Sequence, residues 1–342
     1  MKKERKEQKV GIGLSGGTDS TAAAMLLLED GYDVIGYTML TTDESAVVAT
    51  KAAAVADKLG IEHRIVDLRN EFQHNVLDAL VDGYANGLTP SPCVICNQKL
   101  KFGVLRERML ADGCDFTATG HYARLTRNET GRIQLRRGLD RTKDQSYFLA
   151  QLTSGQLETV IFPLGDRLKG ELKEKVKSLG LVPKEEAESQ DLCFVPNGGI
   201  GDFVSKRRPA LRRDGWIVDP TGQRLGRHNG AFQYTPGQRR GLGLGGGPWF
   251  VMRTDMVTNT VVVGHREELG VTTLRVNDMN WLIDLQWPIT CVAQVRYLMK
   301  PRGVTVYDDG TVTFTEPLEA APPGQLCVFY DGDIVLGSGW IA

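Results

Sequence analysis

The first third of the chain alternates short apolar runs with helix-length segments, and that alternation limits the fold more than any other feature. "KVGIGL" (9–14) is an apolar run ending in small residues, "DSTAAAMLLLEDG" (19–31) has helical composition with Gly31 as its stop, and "YDVIGYTML" (32–40) is strand-like again. "ESAVVATKAAAVADKLG" then reads as helix, "IEHRIVDL" as strand, "NEFQHNVLDALVDGYANG" as helix, and "DFTATGHYA" as a strand running to His121. Strands joined by helices of this length pair in parallel, with the helices on the faces of the sheet. The expected domain is α/β, a doubly wound parallel sheet.

Ligands of such sheets sit beyond the carboxyl ends of the strands, so the first strand-to-helix turn, "GLSGGTDST" (13–21), is the first candidate site. Gly16 and Gly17 let backbone N–H groups approach a ligand, Ser15, Thr18 and Ser20 offer hydroxyls, and the helix that follows turns its positive end toward the loop. That is an anion cradle suited to phosphate. It has neither the spacing nor the lysine of G-x-x-x-x-G-K-[ST], and it is not G-x-G-x-x-G.

With 342 residues, 41% apolar and 24% charged, the chain has material for two or three domains. In the last third, "CVAQVRYL", "GVTVYDDG", "TVTFTEP", "GQLCVFYDGD" and "IVLGSGW" are short alternating runs separated by turn residues, which predicts an antiparallel β-barrel. The expected division is 1–205 for the α/β domain, 206–270 for a small central domain and 271–342 for the barrel. Net charge is −1, but nine Lys or Arg lie between Lys206 and Arg240 (206, 207, 208, 212, 213, 224, 227, 239, 240) against Asp214 and Asp219. A local basic face is what a phosphate backbone requires, and it is equally what a solvated surface looks like. No apolar run approaches the roughly 20 residues of a membrane span, and the charged start "MKKERKEQKV" has no hydrophobic region behind it, so a cytoplasmic setting without membrane contact is expected. Six cysteines with one close pair, Cys93 and Cys96, point to metal binding or catalysis rather than a disulfide framework. Cys291 and Cys327 lie in strand-like apolar runs and read as packing residues, as does Cys114.

The loop S-G-G-x-D-S after a first parallel strand resembles the pyrophosphate-loop ATPases, which cleave ATP between the α and β phosphates and adenylate a carbonyl oxygen. "PSPCVICNQKLKF", "TGHYAR", "KDQSYFL", "SQDLCFV" and "TPGQRRGLGLGG", in that order, narrow the resemblance to the bacterial tRNA-specific 2-thiouridylases, and it runs from Lys9 to the C-terminal strands. The resemblance implies an adenine nucleotide α-hydrolase-like fold. It also implies an ATP- and Mg²⁺-dependent enzyme that replaces the C2 oxygen of a wobble uridine with sulfur, releasing AMP and pyrophosphate. Carried onto this sequence, it implies ATP binding by Gly13, Leu14, Ser15, Gly16, Gly17, Thr18, Asp19, Ser20, Met39 and Gly120, with Asp19 near Mg²⁺ or the pyrophosphate. Cys193 would receive sulfur as a persulfide from a carrier or a cysteine desulfurase relay, and Cys96 would be the second catalytic thiol, closing a Cys96–Cys193 disulfide at the end of the cycle. Ser91, Pro92 and Cys93 would lie near the target base, and His121, Lys143, Asp144, Gln145, Arg296, Tyr297 and Gln325 would contact the anticodon arm. A wobble base reaches such a pocket by flipping, which gives the accessory domains the task of gripping the tRNA.

Many members of the family carry aspartate where this chain has Cys93. The change creates a C-x-x-C which, with Cys193, can supply three thiolates to a [4Fe–4S] cluster with one open iron. A structural zinc would need a fourth ligand. Lys99 and Lys101 are candidate charges beside Cys96, and His121 read without the resemblance is a hydrogen-bonded structural histidine. Two other classes share part of the pattern: an ammonia-using adenylating ligase would have the loop without needing Cys96 or Cys193, and a noncatalytic RNA-binding protein would have the basic segment without needing the loop.

Overall fold

Val34 and Ile35 are successive residues on one strand and feed two separate cores, which is the mark of a sheet covered on both faces. The computed structural model describes residues 4–183, 192–195, 199–284 and 286–342. Its first sheet is parallel and runs β3 (Glu62–Asp67), β2 (Asp33–Leu40), β1 (Lys9–Gly13), β4 (Phe116–Ala118), β7 (Val160–Ile161). On one face α1 (Thr18–Glu29), α2 (Ala46–Leu59) and the helix Lys169–Ser178 pack Ala22, Ala23, Leu27, Ala52 and Val176 against β1. On the other face Phe72, Val76, Leu80, Leu100 and Leu105 come from the helical stretches 69–85 and 92–111. The doubly wound α/β fold expected from the alternation is present.

Strand order reverses between β1 and β4, so the crevice at their carboxyl ends is the topological switch point. β4 is shorter than the sequence suggests: it ends at Ala118 and not at His121. Beyond Ala118 the chain leaves the sheet, the Thr119 hydroxyl pairs with His121 Nδ1 at 2.7 Å, and Gly120 crosses the start of α1.

Six C-terminal strands close into the antiparallel barrel: β12 (Val271–Trp281), β15 (Thr311–Leu318), β14 (Arg302–Val306), β13 (Ile289–Gln294), β16 (Leu326–Asp331) and β17 (Ile334–Ile341), which pairs back to β12. β12 is not among the runs legible by alternation, because "VTTLRVNDMNW" is mostly polar and only Val276 in it is fully buried. The hairpin β5 (Ala123–Arg127) and β6 (Ile133–Arg137) leaves the α/β domain and adds to β17, so the two bodies share a sheet. Between them in sequence, β8 (Gly215–Val218), β9 (Arg224–His228), β10 (Phe250–Asp255) and β11 (Thr260–Gly264) form a sheet in the order β10-β11-β8-β9 over Ile217, Leu242, Val251, Val261 and Val263. Among the described residues no helix is long and apolar enough to cross a membrane.

Asp144 fastens the shared sheet. Its carboxylate is buried and accepts from Arg137 Nη1 at 2.9 Å, from the N–H groups of Gly138 and Ser146 at 3.0 and 3.1 Å, and from Ser146 Oγ at 3.0 Å. The Arg137 guanidinium lies 3.5 Å from the Tyr330 ring centre in the barrel. Removing the carboxylate would strand a mostly buried guanidinium and two N–H groups. Asp144→Ala is therefore expected to lower unfolding free energy by about 3 kcal/mol in urea titration, with Asp144→Asn retaining part of it. A loss below about 1 kcal/mol would show that the network is not structural.

Candidate nucleotide and thiol site

The phosphate loop wraps on itself. Ser15 N–H donates to Ser20 Oγ at 3.2 Å, Ser20 Oγ donates to the Gly17 carbonyl at 3.1 Å, and Gly17, the N-cap of α1, brings no side chain of its own to cap the helix. Uncapped N–H groups at the positive end of a helix are an anion site. Gly16 holds φ at +74°, and a Cβ there would meet the Lys51 backbone at 2.7 Å, so only glycine fits. A Cβ on Gly120 would lie 2.8 Å from the backbone of Asp19 and Ser20, which is why that loop can close over the start of α1. Leu14 is tied to β2 through its N–H to the Tyr37 carbonyl at 2.7 Å and its carbonyl from Thr38 Oγ1 at 2.6 Å. Met39, one residue on, is half-buried near the end of β2.

Two residues that the motifs did not single out hold Asp19. The Tyr122 hydroxyl donates to Oδ1 at 3.1 Å and Lys169 Nζ to Oδ2 at 3.0 Å. Lys169 is mostly buried and starts the helix Lys169–Ser178, its N–H resting on Asp140 Oδ2 at 3.2 Å. A cation is thus set beside the phosphate loop from the far end of the domain. Nothing local in "RLKGE" marks it; only the fold brings it there. His63, 2.8 Å from Thr38 Oγ1, was likewise not singled out, and burial lowers its pKa.

The cysteine stretch begins at Ser91, buried at the start of the helix Pro92–Ile95, with Pro92 in the first turn. From Cys96 to Val104 the helix widens to π-type turns, a distortion that recurs at functional sites. Cys96 is half-buried and its thiol is pushed up to about 11 by burial, against which Lys101 pulls down. Cys93 reaches solvent, yet the protein around it raises its thiol too by desolvation, again opposed by Lys101. Of the two lysines proposed as neighbours, Lys101 acts on both thiols while Lys99 is exposed. Cys193 is exposed and close enough that its charge acts on both Cys93 and Cys96. Its neighbour Phe194 anchors the turn edge-on to Phe72 at 5.4 Å, and lies 5.3 Å from Phe203. Ser189, Gln190 and Asp191, the start of "SQDLCFV", lie outside the described residues. Asn97, beside Cys96, is buried with its amide N–H on the Phe148 carbonyl at 3.1 Å and its Oδ1 unpartnered.

His121 joins the two halves. It is buried against Phe102 and Phe162, bonded to Thr119, and held neutral by burial and by the charge of Lys101. Gly120 packs against Asp19, His121 follows it in the chain, and the charge of Lys101 acts on His121 as well as on Cys93 and Cys96. The other expected contacts frame it. Gln145 exchanges hydrogen bonds with the Tyr122 backbone at 2.9 and 3.0 Å, Asp144 faces inward to Arg137, and Lys143 is half-exposed. Arg296 donates to the Pro236 carbonyl at 2.6 Å, the Tyr297 ring lies tilted 4.4 Å from that of Phe148, and Gln325 donates to the Thr89 carbonyl at 2.6 Å. Among the described residues, no three His, Cys, Asp or Glu side chains gather closely enough to hold a metal ion. The three cysteines share a region without forming a cluster's ligand set.

A thiol near 11 is protonated at neutral pH and becomes the nucleophilic thiolate only as pH rises toward that value. Iodoacetamide at pH 7.5 is expected to modify exposed Cys193 well before Cys96, with Cys96 labelling rising steeply above pH 9 and slowing further in Lys101→Met. Equal labelling of the two at pH 7.5, read by peptide mass spectrometry, would contradict this geometry.

Comparison with known proteins agrees along the whole chain. Residues 8–197 match the family described as tRNA methyl transferase HUP domain, 201–265 its PRC-barrel domain and 271–341 the aminomethyltransferase beta-barrel domain. Curated relatives include the tRNA-specific 2-thiouridylase MnmA of Levilactobacillus brevis, 42% identical over 99% of this chain and 96% of that protein, and that of Magnetococcus marinus, 42% identical over 98% and 99%. The protein of the same name from Clostridioides difficile is 39% identical over 98% of both. A nucleotide-type sheet, a central sheet and a closed barrel in this order, with that similarity end to end, make the chain a member of the tRNA-specific 2-thiouridylase family.

Proposed function

We propose that this protein is an ATP-dependent tRNA-uridine 2-sulfurtransferase that makes 2-thiouridine at the wobble position. The reading is supported by the run of neighbours from Asp19 through Gly120 and His121 to Lys101, whose charge also acts on Cys96. An ammonia-using ligase has no need of the thiol pair, and an RNA-binding protein has no need of the cradle.

ATP is bound along Gly13, Leu14, Ser15, Gly16, Gly17, Thr18, Asp19 and Ser20, with Met39 and Gly120 on the nucleoside side. Magnesium arriving with the nucleotide would be held by Asp19 and phosphate oxygens, and would neutralise charge on the leaving pyrophosphate. Lys169, already beside Asp19, supplies a fixed cation there. The uridine C2 oxygen attacks the α-phosphate, pyrophosphate leaves, and the poor leaving group becomes AMP. Cys193, the exposed thiol, accepts a sulfane sulfur from a carrier or desulfurase relay. The terminal sulfur of that persulfide attacks C2 and AMP departs with the oxygen. Cys96 then attacks Cys193 Sγ: the S–S bond to the uridine sulfur breaks, its electron pair stays on the base as 2-thiouridine, and a Cys96–Cys193 disulfide forms. A dithiol reductant resets the pair. A resting Cys96 kept protonated by burial does not discharge the persulfide before the base arrives.

In this reading residues 1–205 carry the chemistry, while 206–270 and 271–342 grip the anticodon arm. Ser91, Pro92 and Cys93 line the base pocket; His121, Lys143, Asp144, Gln145, Arg296, Tyr297 and Gln325 support or touch the RNA around it. A reducing cytoplasm suits six free cysteines. No step is routed through a cluster on Cys93, Cys96 and Cys193.

Cys96→Ser and Cys193→Ser are expected to abolish 2-thiouridine, read by nucleoside mass spectrometry, while keeping tRNA-dependent ATP–pyrophosphate exchange. In the same exchange assay Lys169→Met should raise the ATP KM about tenfold or more, with Lys169→Arg recovering part of it. Full thiolation by either serine variant, or exchange that never depends on tRNA, would refute the assignment.

A further inference from the structure

The basic segment from Lys206 to Arg240 divides once the fold is known. Arg208 is neutralised by Asp82 at 2.5 Å and Arg212 by Asp202 at 2.7 Å, Arg213 donates to the Met256 carbonyl at 3.1 Å, and Arg207 lies 3.8 Å over the Phe203 ring. These hold the central domain and its neighbouring helix together. Arg224 and Arg227 are different. Both stand on β9, the edge strand of the central sheet, and both guanidinium groups sit 4.3 Å from the ring centre of one residue, Trp216 on β8. Cross-strand pairing sets Trp216 opposite Arg227. Both arginines are exposed, and among the described residues neither has a carboxylate partner within ion-pair distance.

We infer that Trp216, Arg224 and Arg227 form a grip for the phosphodiester backbone of the tRNA. This rests on the function proposed above and adds a contact site in a different domain. A guanidinium stacked on an aromatic plate keeps its N–H edge directed outward, and its side chain is already ordered before an anion arrives. Two such groups on one plate repel each other, and a bridging phosphate relieves that repulsion while accepting a bidentate fork from either. Charge on an edge strand also blocks unwanted strand pairing. That purpose needs charge alone; it does not require both arginines to share one ring.

The test is binding of a tRNA transcript with a wobble uridine, followed by fluorescence anisotropy over a salt series, for wild type, Arg224→Gln/Arg227→Gln and Arg224→Lys/Arg227→Lys. Loss of two phosphate contacts predicts a log–log salt slope shallower by about 1.5 and an affinity lower by about tenfold near 0.15 M salt for the Gln pair. The Lys pair keeps the charge and so should keep the slope, while losing part of the affinity. Melting temperature and ATP binding should not change in either. A Gln pair that matches wild type in slope and affinity overturns this inference alone. A wild type that binds no tRNA overturns the proposed function, and this inference with it.

Discussion

Thr89 is where the three bodies of this protein meet, and the cysteine helix hangs from that point. Its N–H donates to the Pro323 carbonyl at 2.7 Å and its carbonyl accepts from Gln325 at 2.6 Å, both in the C-terminal barrel. Its hydroxyl reaches Thr235 of the central domain at 3.5 Å, and a Cβ on Gly324 would press on Leu88 at 2.9 Å. Two residues later Ser91 begins the helix that carries Cys93 and Cys96. The position of the cysteine helix is therefore set from outside the α/β domain as well as within it. Arg137 and Asp144 make a second fastening through the shared sheet, joining the α/β domain to the barrel.

Electrostatics around the cysteines and His121 follow one cation. Lys101 lowers the thiols of Cys93 and Cys96 and also disfavours a charged His121. Burial outweighs it at the cysteines, which therefore rest as thiols, and reinforces it at the histidine, which rests neutral. The phosphate side has its own cation in Lys169, balanced by Asp19 until an anionic ligand enters. Lys101 thus acts at the cysteines and Lys169 at Asp19 beside the first strand-to-helix turn.

Much of this was legible in sequence for identifiable reasons. Buried parallel strands such as "KVGIGL" and "YDVIGYTML" are nearly continuous apolar runs, and the loop that follows the first must use glycine because Gly16 sits at positive φ against another backbone. β12 lacks a clean alternation because its polar residues outnumber its apolar ones, and β4 looks longer in sequence than it is because Thr119 and His121 are strand-compatible although Gly120 has to leave the sheet to meet Asp19. Lys169 lies outside every motif, since its role exists only when the ends of the domain are folded together, and Tyr122, although inside "TGHYAR", carries no local sign of its bond to Asp19. Asp144 has the opposite character: resemblance marks it as an RNA contact, while its geometry commits the carboxylate to Arg137, Gly138 and Ser146.

The central claim is that the cradle and the thiols act in sequence on one oxygen, which must leave the uridine with AMP. A tRNA carrying oxygen-18 at C2 of the wobble uridine tests it directly. After a single turnover with ATP and a sulfane sulfur donor, mass spectrometry should find the label in AMP, one atom for each 2-thiouridine formed. Label recovered in water or in pyrophosphate, with AMP unlabelled, would contradict the account.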